Sequence, residues 1–129
     1  VAAVRAAGDE ADVPFVINAR TDVYIFGAGE PSERVALAAE RGNAYLAAGA
    51  DCIFVPFAPD DELAALVQAI DGPVSVLARH DGPTLAQFAE YGVARISCGP
   101  LAQRAAMAAL RATAAQVYGE GSFAGLGGR

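Results

Sequence analysis

The sequence predicts an α/β fold in which short parallel strands alternate with helices. Apolar runs of strand length, rich in Val and Ile, alternate with Ala- and Leu-rich stretches whose apolar positions recur at helical spacing. Glycine, proline or aspartate separates one stretch from the next. Strands that are apolar throughout are typical of a parallel sheet covered by helices on its faces.

Four strand–helix units are predicted, after an opening segment, residues 1–8, that has the pattern of the end of a helix. The strands are predicted at residues 14–19, 52–55, 74–78 and 93–97. The helices are predicted from residue 31 to about 49, from 60 to 70, from 83 to 91 and from 100 to about 118. Their starts carry proline, serine or acidic side chains, and glycine follows the first and third of them, as helix termini favour.

Residues 1–118 are therefore predicted to form one domain, and the glycine-rich residues 119–129 a flexible tail. Four units in about 120 residues are half of a (β/α)8 barrel of the TIM type, which takes roughly 250 residues. A small open sheet of the doubly wound kind is the structural alternative. Because the chain begins with Val1 rather than Met, we expect it to be a piece of a longer polypeptide.

Composition and charge exclude several classes of function. The net charge is −6, and all nine basic residues are arginines scattered along the chain, so Schiff-base lysines, a P-loop lysine and a nucleic-acid interface are not expected. Cys52 and Cys98 lie in apolar runs without metal-ligand spacing, which predicts buried, reduced thiols. No stretch approaches the roughly 18 apolar residues of a membrane span. We expect a cytoplasmic protein that binds neither nucleic acid nor a membrane.

The candidate binding residues follow the predicted strands, because both folds place function at the carboxyl ends of their strands. Arg20, Thr21 and Asp22 follow the first strand, and Arg79 and His80 follow the third. A guanidinium there can bind a carboxylate through two N–H groups, and a histidine can move protons near neutral pH. The alternatives stay open: the arginine pairs with Asp22 only to hold the loop, the threonine caps it, and the histidine is solvated.

Four segments carry a resemblance to a known family. They are FVINARTDVYIFG, RGNAYLAAGADCIFVP, IDGPVSVLA and YGVARISCGP. The first resembles the end of the fifth strand in the isocitrate lyase/phosphoenolpyruvate mutase superfamily, and the last two resemble the seventh and eighth strands of its small bacterial members. The resemblance covers Val1 to about Tyr118 and implies that the chain is strands five to eight of a TIM-type barrel.

The resemblance also implies a function. Members of this superfamily make or break carbon–carbon or carbon–phosphorus bonds in small α-keto acids and enolates, with Mg²⁺ at the barrel mouth. Arg20 matches a position that implies substrate-carboxylate binding, whereas the acids that hold Mg²⁺ belong to strands two to four and have no counterpart here. Pro56 stands where the lyases and mutases usually carry Glu or His, which puts isocitrate and methylisocitrate cleavage in doubt.

Two hypotheses follow. In the first, the chain is the C-terminal part of a magnesium-dependent lyase or phosphonomutase whose other half supplies the metal and the acid–base groups; the resemblance implies a homo-oligomer that exchanges its last helix. In the second, the chain is a non-catalytic half-barrel module or truncated remnant. Its two open sheet edges would be covered by pairing of two copies. Whether the isolated chain is itself an enzyme is left open at this stage.

Overall fold

The computed structural model describes residues 1–127 and has an α/β architecture with a four-stranded parallel sheet. The strands are β1 (Asn18–Arg20), β2 (Cys52–Val55), β3 (Val74–Leu77) and β4 (Arg95–Ser97), and they lie side by side in that order. The helices are α1 (Ala2–Glu10), α2 (Arg34–Ala47), α3 (Leu63–Ala69), α4 (Leu85–Glu90) and α5 (Leu101–Ala115).

The sequential strand order confirms the barrel-type interpretation. A doubly wound sheet reverses its strand order at a switch point, whereas consecutive strands of a (β/α)8 barrel are neighbours throughout. Here β1 pairs with β2, β2 with β3 and β3 with β4, all in parallel. The sheet thus has the arrangement of half of a (β/α)8 barrel.

The core lies between the sheet and its helices. Alternate strand residues, among them Ile53 and Val74, are at most 1% exposed and pack in one apolar cluster with Leu66 of α3. Helix α2 approaches β2 closely, since a Cβ built on Gly42 would lie 3.2 Å from Cγ2 of Ile53. This packing fixes the sheet face that points away from the helices, and with it the positions at the carboxyl ends of the strands.

The first strand is shorter than predicted. It begins at Asn18 rather than at Pro14, because the preceding backbone is bonded elsewhere: the Ile17 N–H donates to the Asp51 carboxylate at 2.7 Å, and the Phe15 carbonyl accepts from Arg5. Pro14 has no N–H to offer a ladder. The other strands agree with the prediction to within two residues.

Three helices begin later than the sequence pattern predicts. Short 3₁₀ turns, Pro31–Glu33 and Asp60–Glu62, precede α2 and α3. Helix α4 begins at Leu85, because the Thr84 hydroxyl accepts from the Gln87 amide at 3.3 Å while the Gln87 side chain accepts from the Thr84 amide at 2.9 Å. The predicted start at residue 83 is therefore two residues early.

The chain divides into two compact units, Val1–Ser97 and the residues from Cys98 onward. The second unit contains α5, which continues into a π-helical turn at Gln116–Glu120 and a 3₁₀ turn at Ala124–Leu126. The assignment of residues 1–118 to a single domain and the tail at 119–129 stay predictions. The last two residues of that tail lie outside the described part of the chain.

The two cysteines differ in their surroundings. Cys52 is buried, as predicted, and this burial raises the pKa of its thiol. Cys98 is exposed, so the prediction of a buried thiol was wrong at this position. The apolar run ends with β4 at Ser97, and the next residue already belongs to the turn that leads into α5.

Candidate active site

The candidate site is the edge of the sheet at which all four parallel strands end. Arg20 closes β1, Pro56 follows β2, and Arg79 lies two residues after β3. The pairing of Arg20 with Phe54 places β1 and β2 in register here, and the Thr21 amide continues the ladder by donating to the Phe54 carbonyl at 2.9 Å. Side chains that follow neighbouring strands are therefore brought to one edge.

Arg20 and Asp22 form an ion pair at this edge. Arg20 Nε lies 2.6 Å from Asp22 Oδ1, and Arg20 Nη2 donates to Asp22 Oδ2 at 3.2 Å. The carboxylate therefore lies beside the edge of the guanidinium that carries Nε, and Nη2 makes the hydrogen bond between the two groups. The arginine side chain is 57% exposed and that of Asp22 29%.

This arrangement leaves donors of Arg20 available. A guanidinium has five N–H groups, and the contacts with Asp22 engage Nε and one face of Nη2. The Nη1 group and the outer N–H of Nη2 point away from that carboxylate and have the spacing that accepts both oxygens of a second carboxylate. The ion pair foreseen in the sequence is thus present, and it is compatible with ligand binding by the same side chain.

Thr21 occupies a different environment. Its side chain is 1% exposed, and Oγ1 is a buried hydroxyl without a hydrogen-bond partner. Strand alternation places it on the opposite face from Arg20, toward the buried layer. A contact between this hydroxyl and a ligand would require a movement of the loop, so the substrate-binding role of Thr21 stays a prediction.

Arg79 holds two loops together. Its Nη2 donates to Asp60 at 3.0 Å, and its Nε donates to Asp81 at 3.4 Å. Asp60 opens the turn before α3, so the arginine joins the segments that follow β2 and β3. The pKa of Asp81 lies below its usual value, first because its own backbone amide hydrogen-bonds to it, with further help from His80 and Arg79. Much of the donor capacity of Arg79 is therefore used within the protein.

His80 lies on the surface beside this cluster. Its side chain is 87% exposed, and Nδ1 is 3.6 Å from Asp81 Oδ1. No described element packs over the ring, and the site geometry gives it no fixed orientation. The role of His80 in substrate binding, like that of Arg79, stays a prediction.

The loop after β1 is fixed by a tyrosine. Tyr24 Oη donates to Glu62 Oε2 at 2.5 Å, which joins this loop to the turn that precedes α3. The pKa of Tyr24 is raised well above its usual value, mainly by burial and then by the Glu62 carboxylate, and Arg34 opposes the shift. The loop that carries Asp22 is therefore anchored two residues farther on.

Sequence reasoning missed Phe57. It noted the apolar residue Pro56, but Pro56 is buried, whereas the side chain of Phe57 is 57% exposed at the site edge. Phe57 has φ = 63°, a left-handed conformation that is rare for a bulky residue. Residue pattern alone gives no signal for a positive φ at phenylalanine.

The described residues do not form a magnesium site. Mg²⁺ requires oxygen ligands that converge in a near-octahedral arrangement. Within residues 1–127, no group of three or more His, Cys, Asp or Glu side chains is placed to hold a metal ion. The adjacent acids Asp60 and Asp61 lie at a helix start, where their negative charges interact favourably with the helix dipole.

A search of the described helices for a membrane span was negative. None of them combines the length and the apolar character that crossing a bilayer requires.

Comparison with known proteins identifies the family. The profile of phosphoenolpyruvate phosphomutase matches residues 1–118. An uncharacterised protein of Mycobacterium tuberculosis strain H37Rv, Rv1998c, is 39% identical over 106 residues, which are 81% of this chain and 39% of the relative.

Two solved structures are similar in both sequence and fold. A candidate phosphonomutase from Burkholderia cenocepacia J2315 is 42% identical with a TM-score of 0.81, over 94% of this chain and 48% of the other. Phosphonopyruvate hydrolase is 31% identical with a TM-score of 0.71, over 85% of this chain and 40% of that enzyme. The chain thus spans less than half the length of each of these relatives. By its profile match, its sequence identity and its fold, the chain belongs to the phosphoenolpyruvate phosphomutase family of the isocitrate lyase/phosphoenolpyruvate mutase superfamily.

Proposed function

We propose that this chain is the substrate-carboxylate-binding part of a superfamily enzyme that acts on small α-keto acids or their enolates. The reaction would cleave or form a carbon–carbon or a phosphorus–carbon bond. The phosphonopyruvate hydrolase and the candidate phosphonomutase among its relatives support this class of chemistry. The family assignment favours this function over the non-catalytic half-barrel module.

One observation carries the proposal: the guanidinium of Arg20. It is exposed at the carboxyl edge of the sheet, is paired with Asp22, and has a second pair of N–H donors that no other residue within 1–127 engages. A rigid donor pair of this kind matches the two oxygens of a carboxylate. In its proposed role, Arg20 binds and orients the substrate carboxylate, and Asp22 acts on the substrate only through Arg20.

Magnesium is a cofactor of the superfamily that this part of the chain does not hold by itself. The resemblance implies that the metal would polarise the enolate oxygen, and its ligands would come from residues outside this chain. In this proposal, the residues described here bind and orient the carboxylate.

The proposal is tested by oxalate binding to the intact cellular protein, measured by titration calorimetry with MgCl₂ present. Arg20→Ala should weaken binding by roughly 1.5–3 kcal/mol, the usual contribution of a hydrogen bond to a charged group, or about ten- to 150-fold. The control Arg41→Ala removes the same charge from an exposed position on α2 and should leave binding unchanged. Equal affinity in Arg20→Ala and wild type would reduce Arg20 to a structural role.

We further propose that the intact protein is a homo-oligomer that associates through α5. This helix has no buried residue, and it exposes 44% of Met107 and 59% of Leu110. The sequence also places an apolar stripe on this helix, suited either to such a contact or to packing on its own sheet, and its residues Leu101, Ala105, Ala108 and Ala109 are all at least partly exposed. Apolar surface on a helix of this length is typical of a face that packs against another element.

A further inference from the structure

Phe57 combines a strained backbone with an exposed ring. Its φ of 63° lies in the left-handed region, which is unfavourable for an L-residue because Cβ comes too close to the following carbonyl oxygen. The residues on either side of it, Pro56 and Ala58, are buried, so the backbone turns outward only at Phe57. Strain of this kind persists where the surrounding structure imposes it, and it is concentrated at ligand sites.

Two further apolar side chains are exposed on the adjacent loop. Ile25 is 38% exposed and Phe26 78%, and both lie on the turn that begins at Asp22, where the Phe26 amide donates to the Asp22 carbonyl at 3.1 Å. This loop follows β1 and Phe57 follows β2, and β1 and β2 are neighbours in the sheet. We refer to Ile25, Phe26 and Phe57 as the apolar rim.

The apolar rim lies at the same edge as the free donors of Arg20. Arg20 is paired in register with Phe54, three residues before Phe57, so the guanidinium and the rim flank the carboxyl ends of the same two strands. Single exposed apolar residues need no explanation, but three on adjoining loops beside a charged donor are typical of a binding site. A ligand that satisfies both features carries a carboxylate and a hydrocarbon group.

We propose that Phe57 is a specificity-determining residue, and that the site takes 2-oxo acids whose carbon chain extends as a hydrocarbon beyond the keto group. The carboxylate would bind Arg20, as the proposed function requires, and the hydrocarbon group would pack on the ring of Phe57. This inference rests on that function and narrows its substrate class from small keto acids in general to those with an apolar side chain.

The test is a ligand series on the intact cellular protein: oxalate, pyruvate, 2-oxobutanoate and 2-oxopentanoate, each titrated calorimetrically in the same magnesium buffer. Burial of one methylene group contributes about 0.8 kcal/mol, so affinity should rise about fourfold per added carbon from pyruvate onward. In Phe57→Asn, a residue that tolerates the left-handed conformation, the rise should fall below about twofold per carbon while oxalate affinity is unchanged. Phe57→Tyr keeps the ring and should keep the rise.

The outcomes separate this inference from the function on which it rests. If oxalate binds and Arg20→Ala weakens it, but affinity is the same along the series or the rise survives in Phe57→Asn, the role of Phe57 is overturned and the function stands. If no member of the series binds the wild-type protein, the function itself fails. Should Phe57→Asn not fold, Phe57→Gly serves instead, because glycine adopts the same φ without strain.

Discussion

The phenol of Tyr24 and the carboxylate of Glu62 share a 2.5 Å hydrogen bond across 38 residues of sequence. It joins the loop after β1, which carries Asp22, Ile25 and Phe26, to the turn that precedes α3. The loop is therefore held by a side-chain contact as well as by its own backbone.

Removal of this bond should destabilise the protein. Tyr24→Phe leaves the ring and deletes the donor to a charged acceptor, which should lower the free energy of unfolding by about 1–2 kcal/mol in urea denaturation at pH 7. Tyr118→Phe is the matched control, because Tyr118 is 91% exposed, and it should have no effect. Equal midpoints for both variants would show that the Glu62 contact contributes nothing.

The pH dependence of the same bond has a defined sign. The folded pKa of Tyr24 lies above its unfolded value, so the stabilisation is complete below about pH 10 and is lost as the pH rises toward the folded pKa. The difference in stability between wild type and Tyr24→Phe should therefore shrink in alkaline solution, and a difference that grows would contradict this assignment.

Asp22 should act on ligand binding through Arg20. Without Asp22 the Arg20 side chain samples more rotamers, and ordering it again for binding costs about 2 kcal/mol of side-chain entropy. The same change removes the repulsion between Asp22 and the ligand carboxylate, which is about 1 kcal/mol for two charges about 4 Å apart in water. The first effect is the larger, so Asp22→Ala should weaken oxalate binding about fivefold.

The salt dependence distinguishes this role from a simple charge effect. Salt screens the repulsion but leaves the rotamer entropy unchanged. The loss of oxalate affinity in Asp22→Ala should therefore increase between 0.05 M and 0.5 M NaCl. Over this range the Debye length falls about threefold, from roughly 13 to 4 Å. Tighter binding in Asp22→Ala at all salt concentrations would mean that Asp22 only repels the ligand.

Asp51 should make the fold sensitive to acid. The Ile17 amide, and then Arg5, hold the pKa of its carboxyl below its usual value. Because the folded pKa is the lower one, the stabilisation is present above the unfolded pKa near 4 and is lost as the pH falls through the folded pKa. Asp51→Asn should therefore flatten the decrease in urea midpoint between pH 5 and pH 2, a range set around that unfolded pKa. Asp61→Asn, at an exposed acid that forms no ion pair within residues 1–127, should keep the wild-type slope.

Much of the fold could be predicted because its signals are local. The buried strand Cys52–Val55 is an unbroken apolar run ended by proline, and its limits agree with the prediction. The start of β1 could not be foreseen, because residues 14–17 have an equally apolar pattern, and long-range bonds such as that from the Ile17 amide to Asp51 hold them outside the sheet.

The same distinction between local signals and long-range contacts applies to the candidate site. Arg20 is recognisable from its place after a strand, and its pairing with Asp22 from their spacing. The engagement of Arg79 by Asp60 depends on how two loops meet, and the outward turn at Phe57 depends on a φ that no residue pattern encodes. Sequence therefore indicated the edge and the charged donor, whereas the apolar side of the site required the structure.

Assembly through α5 should respond to a single charge. Leu110→Glu places a carboxylate on the exposed apolar face and should lower the mass of the intact protein in sedimentation equilibrium. Gln68→Glu introduces the same charge at an exposed position on α3, outside this helix, and should leave the mass unchanged. An unaltered mass in Leu110→Glu would place the contact between subunits elsewhere.

Catalysis should require more than these 129 residues. The described residues include the arginine proposed to bind a carboxylate but no cluster of side chains that could hold a metal ion, and the chain spans 48% or less of the relatives compared above. The 129-residue chain alone should therefore show no magnesium-dependent lyase, decarboxylase or mutase turnover with oxaloacetate or phosphonopyruvate, assayed by pyruvate release or by ³¹P NMR. The intact cellular protein in the same assay is the positive comparison. Turnover by the short chain that Arg20→Ala abolishes would mean that the acid–base groups of the reaction lie among the residues described here, with Asp81 and His80 beside Arg79 the first to be replaced.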